Sequence, residues 1–152
     1  MELMIRQACG NDAKAISQVI VAAVRESNSQ DYPANIIESV MANFTPERVI
    51  GLLKERLVFV ALLNDEIVGT GALDGNAARS LFIAPQQQRK GIGQALMSRI
   101  EKAALERGIE ALLIPSSLTA ESFYARLGYR VLREQLHGEE RTIIMTKPLA
   151  PL

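Results

Sequence analysis

The stretch Leu81-Phe82-Ile83-Ala84-Pro85-Gln86-Gln87-Gln88-Arg89-Lys90-Gly91-Ile92-Gly93-Gln94-Ala95-Leu96 concentrates residue types that can hold an anion. An apolar run ends at a proline, passes a polar turn and two glycines, and opens a helical pattern. The start of a helix leaves its first backbone N–H groups unpaired and carries a partial positive charge. Glycines there remove Cβ atoms, so an anion can approach the main chain. Arg89 and Lys90 add charge beside them. The chemistry this predicts is a diphosphate site. The competing reading is that Gly91 and Gly93 only permit a tight strand-to-helix turn. The Gly-Lys-Ser/Thr ending of a P-loop is absent. The third glycine and the first-strand βαβ setting of a dinucleotide fingerprint are missing too.

Such a bend works only if strands and helices hold it, and the periodicity supplies them. Residues 3–8 alternate as a first strand. Ala15, Ile16, Val19, Ile20, Ala23 and Val24 recur at helical spacing behind the cap candidates Asn11 and Asp12. Pro33 can open a second helix, and Thr45-Pro46 a third over 46–55. The apolar run 57–63 reads as a central strand. A turn at 64–66 and a return strand over 67–73 complete a hairpin. A fourth strand is expected over 80–84, stopped by Pro85. The clearest helix is 91–107, closed by Gly108. A short strand over 111–114 should end at Pro115, and Thr119 can cap a helix ended by Gly128. Two last strands, 129–136 and 141–147, flank the turn at His137. The expectation is an α+β (α/β-like) single domain over 1–152, with a mixed sheet of about seven strands and about four flanking helices.

Composition removes several classes of function. The 152 residues suit one core burying about 70% of the unfolded surface. Seventeen Lys+Arg balance seventeen Asp+Glu, so no basic field for nucleic acid is expected. One cysteine, Cys9, and one histidine, His137, exclude a disulfide framework, a thiolate zinc cluster and a multi-histidine site; no metal is expected. No apolar run is long enough for a spanning helix, so no membrane partner is expected. The first residues lack a signal-peptide pattern, which with the lone cysteine points to the cytoplasm. Near-zero net charge makes self-association a mild expectation.

Two segments together carry a resemblance. Gln88-Arg89-Lys90-Gly91-Ile92-Gly93 resembles the Q/R-x-x-G-x-G/A acyl-CoA signature of the GNAT superfamily of N-acetyltransferases. Ala120-Glu121-Ser122-Phe123-Tyr124-Ala125-Arg126-Leu127-Gly128-Tyr129 resembles that family's A-x-x-F-Y-x-x-L-G-F segment. The element order is similar across essentially the whole chain.

The resemblance implies acetyl-CoA as cosubstrate and an amine of a small molecule or peptide as acceptor, attacking directly in a ternary complex. It implies two splayed central strands with the cofactor arm between them. Leu81, Phe82 and Ile83 would bond the pantetheine arm through their backbone. Main-chain N–H groups of Arg89, Lys90, Gly91, Ile92, Gly93 and Gln94 would hold the pyrophosphate. Tyr124 would be the general acid toward the departing sulfur. Ser117 stands where many members carry a cofactor-contacting asparagine. Homodimers are common in the family. Residues 25–44, including Asn28, Gln30, Asp31, Tyr32, Asn35 and Glu38, would wall the acceptor site.

The chemistry makes sense of these parts. An alkyl amine with pKa ~10 is only about one part in a thousand neutral at pH 7, so a base or water chain must help. The strand that supplies a glutamate base in some members is apolar here. Substitute bases are Glu26, Asp74, Glu134, His137, Glu139 and Glu140. Tyr124 could instead be a packing aromatic. Rival functions are a non-catalytic acyl-CoA-binding regulatory module and a plain interaction domain.

Overall fold

The computed structural model describes residues 2–27, 30–138 and 140–149. Its strands are β1 (Leu3–Gln7), β2 (Leu57–Leu63), β3 (Glu66–Asp74), β4 (Ala77–Ile83), β5 (Ala111–Ser116), β6 (Arg130–His137) and β7 (Glu140–Pro148). Its α-helices are α1 (Ala13–Ser27), α2 (Ala34–Ala42), α3 (Pro46–Glu55), α4 (Ile92–Glu106) and α5 (Glu121–Arg126). The strands form one sheet in the order β1-β2-β3-β4-β5-β7-β6. The β4–β5 contact is parallel and the other neighbours are antiparallel.

The continuously apolar β2 is buried because both its faces are covered. Phe59, Ala61 and Leu63 pack under α4 with Leu96 and Ile100. Val58, Val60 and Leu62 pack under α1–α3 with Ile16, Ile20 and Val24. Each of these Val, Leu, Ile or Phe side chains removed from water contributes about 1.5–3 kcal/mol. Helix α4 lies close on β3 because that strand carries glycines. A Cβ on Gly69 would stand 3.2 Å from Ile92 Cγ2 and from Leu96 Cδ1, and one on Gly71 3.0 Å from Ile100 Cδ1.

The central feature is where β4 and β5 part. Their only registered pair is Ala77 with Leu113, and the Leu113 N–H donates to Asn76 O at 2.9 Å. Beyond that point the strands diverge and leave a wedge in the sheet.

The elements differ from the sequence expectation in instructive places. Strand β4 begins at Ala77 rather than at residue 80. Strand β5 does not end before Pro115 but continues through it, pairing Pro115 with Ile144. Peptide groups alternate sides along a strand. Leu113 points its N–H toward β4, so Pro115, two residues on, would point the same way, into the wedge. Its missing N–H therefore costs no ladder bond. Pro33 occupies the N-cap of α2 rather than its first residue. Thr119 does not cap α5: its hydroxyl donates to Asp31 Oδ2 at 2.6 Å, and Ala120 takes the cap position.

Candidate active site

A cleft of about 690 Å³ runs between α1–α3 and the parted strands. That volume is in the range of small-molecule sites. Leu81, Phe82, Ser117 and Tyr124 all line it. The sequence had thus named residues that the fold brings to one cavity. Ile83 lies just past them, at the end of β4, and its carbonyl accepts from Gln88 Nε2 at 3.4 Å. The Ala84 N–H donates to Val68 O in β3 at 2.8 Å. By alternation, the peptide groups of Ile83 face the wedge instead.

Arg89 through Gln94 lie outside the cleft lining, at the start of α4. Arg89, Lys90, Gly91 and Gln94 are exposed, while Ile92 is buried beneath them. The first α4 bond runs from the Ala95 N–H to Gly91 O at 3.1 Å. The N–H groups of Ile92, Gly93 and Gln94 therefore precede the helical ladder. Lys90 Nζ donates to Gln87 Oε1 at 2.9 Å. The two glycines serve different needs. Gly91 has φ +82°, a left-handed conformation, whereas a Cβ on Gly93 would meet Phe123 Cζ at 3.0 Å. Through Phe123 the bend touches the cleft wall.

Tyr124 is 5% exposed. Its ring stands edge-on to Phe123, centroids 5.1 Å apart, and to Tyr129 at 6.0 Å. Tyr129 is fixed in turn, its hydroxyl donating to Glu101 Oε2 at 2.6 Å. Burial raises the Tyr124 pKa well above the usual phenol value, so the hydroxyl keeps its proton at neutral pH. Ser117 is engaged in the turn before α5: its Oγ accepts from the Ala120 N–H at 3.2 Å.

The cleft roof is a strap from the first half of the chain. The Tyr32 hydroxyl accepts from the Leu118 N–H at 2.7 Å and donates to Arg141 O at 3.1 Å. Burial also raises the Tyr32 pKa, with the Leu118 N–H opposing. The wall over residues 25–44 is more apolar than expected, presenting Ile36, Ile37, Val40 and Phe44 beside Tyr32 and Asn43. Asn35 and Glu38 are exposed outside the lining, and Asn28 lies outside the described residues.

Sequence reasoning placed α3 but missed its part in the cleft, to which it contributes Glu47, Arg48, Gly51, Leu52 and Glu55, with Arg56 just beyond its end. Charges and a glycine recurring at spacings of three and four were the available signal. Of the five substitute bases among the described residues, only Glu140 lines the cleft. Asp74 is held by Arg56 and Arg79, each at 3.4 Å. Glu134 accepts two bonds from Arg141, which lower its pKa. Glu26 and His137 are exposed away from the cleft, and Glu139 lies outside the described residues. No cluster of three or more candidate metal ligands occurs among the described residues. Nor is any helix among them long and apolar enough to cross a membrane.

A family model described as an acetyltransferase (GNAT) domain matches residues 14–147. The chain belongs to the GNAT acetyltransferase family. It is an acetyl-CoA-dependent acetyltransferase. Its GNAT relatives include an uncharacterized N-acetyltransferase, YafP, of Escherichia coli (strain K12), 27% identical over 133 residues, or 88% of this chain and 85% of the relative. The fold matches the GCN5-related N-acetyltransferase (Aminotransferase, Class-II) from Rhodopseudomonas palustris with TM-score 0.91 and 25% identity, covering 98% of this chain and 97% of that one. It also matches the PaiA N-acetyltransferase from Thermoplasma acidophilum in complex with coenzyme A, TM-score 0.83 and 22% identity, covering 97% and 99%.

Proposed function

We propose that this GNAT enzyme moves the acetyl group of acetyl-CoA to a primary amine of a small molecule or peptide by direct attack in a ternary complex. The observation that carries the reading is the buried, protonated Tyr124 on the wall of a cleft that opens at the β4–β5 wedge. The main-chain N–H groups over Arg89–Gln94 grip the diphosphate. The pantetheine arm lies in the wedge, where peptide groups of Leu81 and Ile83 and the carbonyl of Pro115 lack a sheet partner across the gap. An amide-bearing chain inserts there as an added strand would. Phe82 and Ser117 line the same passage.

The amine enters from the α2–α3 side. Glu140 attracts its ammonium form and takes the proton, directly or through water. The neutral nitrogen attacks the thioester carbon, the C–S bond breaks, and the electron pair leaves on sulfur. Tyr124 gives that sulfur its proton and recovers one from the acylated nitrogen through solvent. A dry wall destabilises thiolate as well as phenolate, which keeps the two groups matched. The exposed Cys9 thiol fits a reducing compartment, the cytoplasm. The outer strand β6, exposed along its length, supports a homodimer as the working state.

The test is thiol release from acetyl-CoA with and without a panel of amines. Tyr124→Phe is expected to lower kcat by about 10²–10⁴, the usual contribution of a positioned acid, with the KM for acetyl-CoA little changed. Unchanged turnover in that variant contradicts the acid role.

A further inference from the structure

Strand β4 contains a break in pairing that the reaction scheme leaves unexplained. On β3, Thr70 pairs with Phe82 and Ala72 with Arg79, so Ser80 and Leu81 together oppose the single residue Gly71. This is a β-bulge, one extra residue on one strand. Ser80 adopts φ +57°, the left-handed region. A bulge residue in that conformation is normally glycine, because a Cβ makes it costly. The bulge resets the side-chain phase. Ala78 and Leu81 both face the α4 core, and Phe82 returns to the α1–α3 core. Ser80 and Leu81 both line the cleft where β4 forms its wall.

A non-glycine residue held in this region persists only when its surroundings over-determine it. One restraint is visible. Arg56, the residue that ends α3, donates Nη1 to Ser80 Oγ at 3.2 Å. Arg56 is itself anchored, its Nε 3.4 Å from Asp74 Oδ2, and its side chain is only 18% exposed. Asp74 also meets Arg79 at 3.4 Å, and Glu55 and Arg79 are the other charges felt by Arg56. A charge-assisted bond from a guanidinium anchored in this way is strong enough to hold one rotamer and one backbone state.

We infer that Arg56 is a positioning residue: by its bond to the Ser80 hydroxyl it holds the strained bulge that shapes the acetyl-binding stretch of β4. The inference rests on the transferase reading, in which the pantetheine arm lies in the wedge, and it takes the acetyl end of that arm to lie against β4 where the wedge meets the cleft. Arg56 also lines the cleft, but the role assigned to it runs through Ser80. Its loss lets Ser80 relax out of the left-handed region, tilting the peptides on either side, so transfer slows while cosubstrate binding, dominated by the distant bend, persists.

The test is a double-mutant cycle read by thiol release and amide formation. Arg56→Ala is expected to lower kcat about tenfold with the KM for acetyl-CoA changed less than twofold. Ser80→Ala, which deletes the bonding hydroxyl and keeps the Cβ, is expected to do the same, and to add little to Arg56→Ala. Ser80→Gly adopts the left-handed region without the restraint and is expected to lose less kcat than Ser80→Ala. In that background Arg56→Ala is expected to cost less than twofold, a rescue that loss of general packing around Arg56 would not show. If Arg56→Ala fails to fold, the contrast between Ser80→Ala and Ser80→Gly carries the test alone. Equal losses from Arg56→Ala in both backgrounds, or equal kcat for Ser80→Ala and Ser80→Gly, overturns the inference while wild-type turnover keeps the transferase reading. Absence of turnover by the wild type with every amine overturns both.

Discussion

Gly91 and Gly93 lie two residues apart and fail differently when changed. Gly91→Ala places a Cβ on a left-handed residue at a cost of about 1–2 kcal/mol. The bend distorts, and acetyl-CoA binding should weaken with Tyr124 undisturbed; titration calorimetry reads this directly. Gly93→Ala pushes on Phe123, whose ring meets Tyr124 edge-on. It should lower kcat more than it raises the KM for acetyl-CoA. The raised Tyr124 pKa has its own signature. An acid must be protonated to act, and a phenol held above its ordinary value of about 10 stays so. The pH–kcat profile should show no alkaline fall below about pH 10, and a fall centred near pH 8 would contradict the assignment. The glycines stood out in the sequence by type and spacing, whereas Tyr124 was marked only by the resemblance of its segment. Arg56 and Ser80 were not legible there, since a serine carries no mark of the left-handed region and the bond between them spans 24 positions.

At the scale of elements, the entry to α1 is locked by charge. Arg6 in β1 donates to both oxygens of Asp12, at 2.8 and 3.0 Å, and the Cys9 N–H adds a third bond at 2.8 Å. The guanidinium and that N–H hold the Asp12 pKa at about 2. A carboxyl depressed in the folded state stabilises it above the unfolded pKa near 4 and loses that contribution as pH falls toward 2. The linkage is worth about 2 kcal/mol. Asp12→Asn should destabilise the protein by about that much at pH 7 in a urea titration, and flatten the stability loss between pH 4 and 2. An unchanged acid limb would show that the pair contributes nothing.

Helix α3 offers the opposite case. Gly51 has open space where a Cβ would go, so Gly51→Ala should stabilise by about 1 kcal/mol through helix propensity. Gly51→Leu should instead fill the acceptor cleft and raise the acceptor KM alone. Periodicity placed nearly every helix and strand. It failed at Pro115 and Thr119, where tertiary context decides. A proline is harmless where its neighbour strand has turned away, and a threonine stops capping when an aspartate from the α1–α2 connection claims its hydroxyl.

For the whole molecule, alternation and helix order pointed to a mixed sheet, but the wedge came from the resemblance, since no local pattern says where two strands separate. The α3 wall was illegible for the same reason: it meets β4 only after the chain has folded around β2 and β3. The far edge of the sheet carries a further expectation. Strand β6 exposes Leu132 at 54% and Leu136 at 66%. Exposed apolar edges invite pairing. Sedimentation should show a dimer for the wild type and a monomer for Leu136→Glu, and a monomeric wild type would remove the homodimer from the account.

The central claim is that one molecule of acetyl-CoA spans the bend and the wedge together. A crystal structure of the complex with coenzyme A tests it most directly. The diphosphate should lie 2.7–3.2 Å from main-chain nitrogens over residues 89–94, with the pantetheine arm between β4 and β5 and its sulfur facing Tyr124. A diphosphate bound elsewhere, or a sulfur remote from Tyr124 with the wedge unfilled, would contradict it.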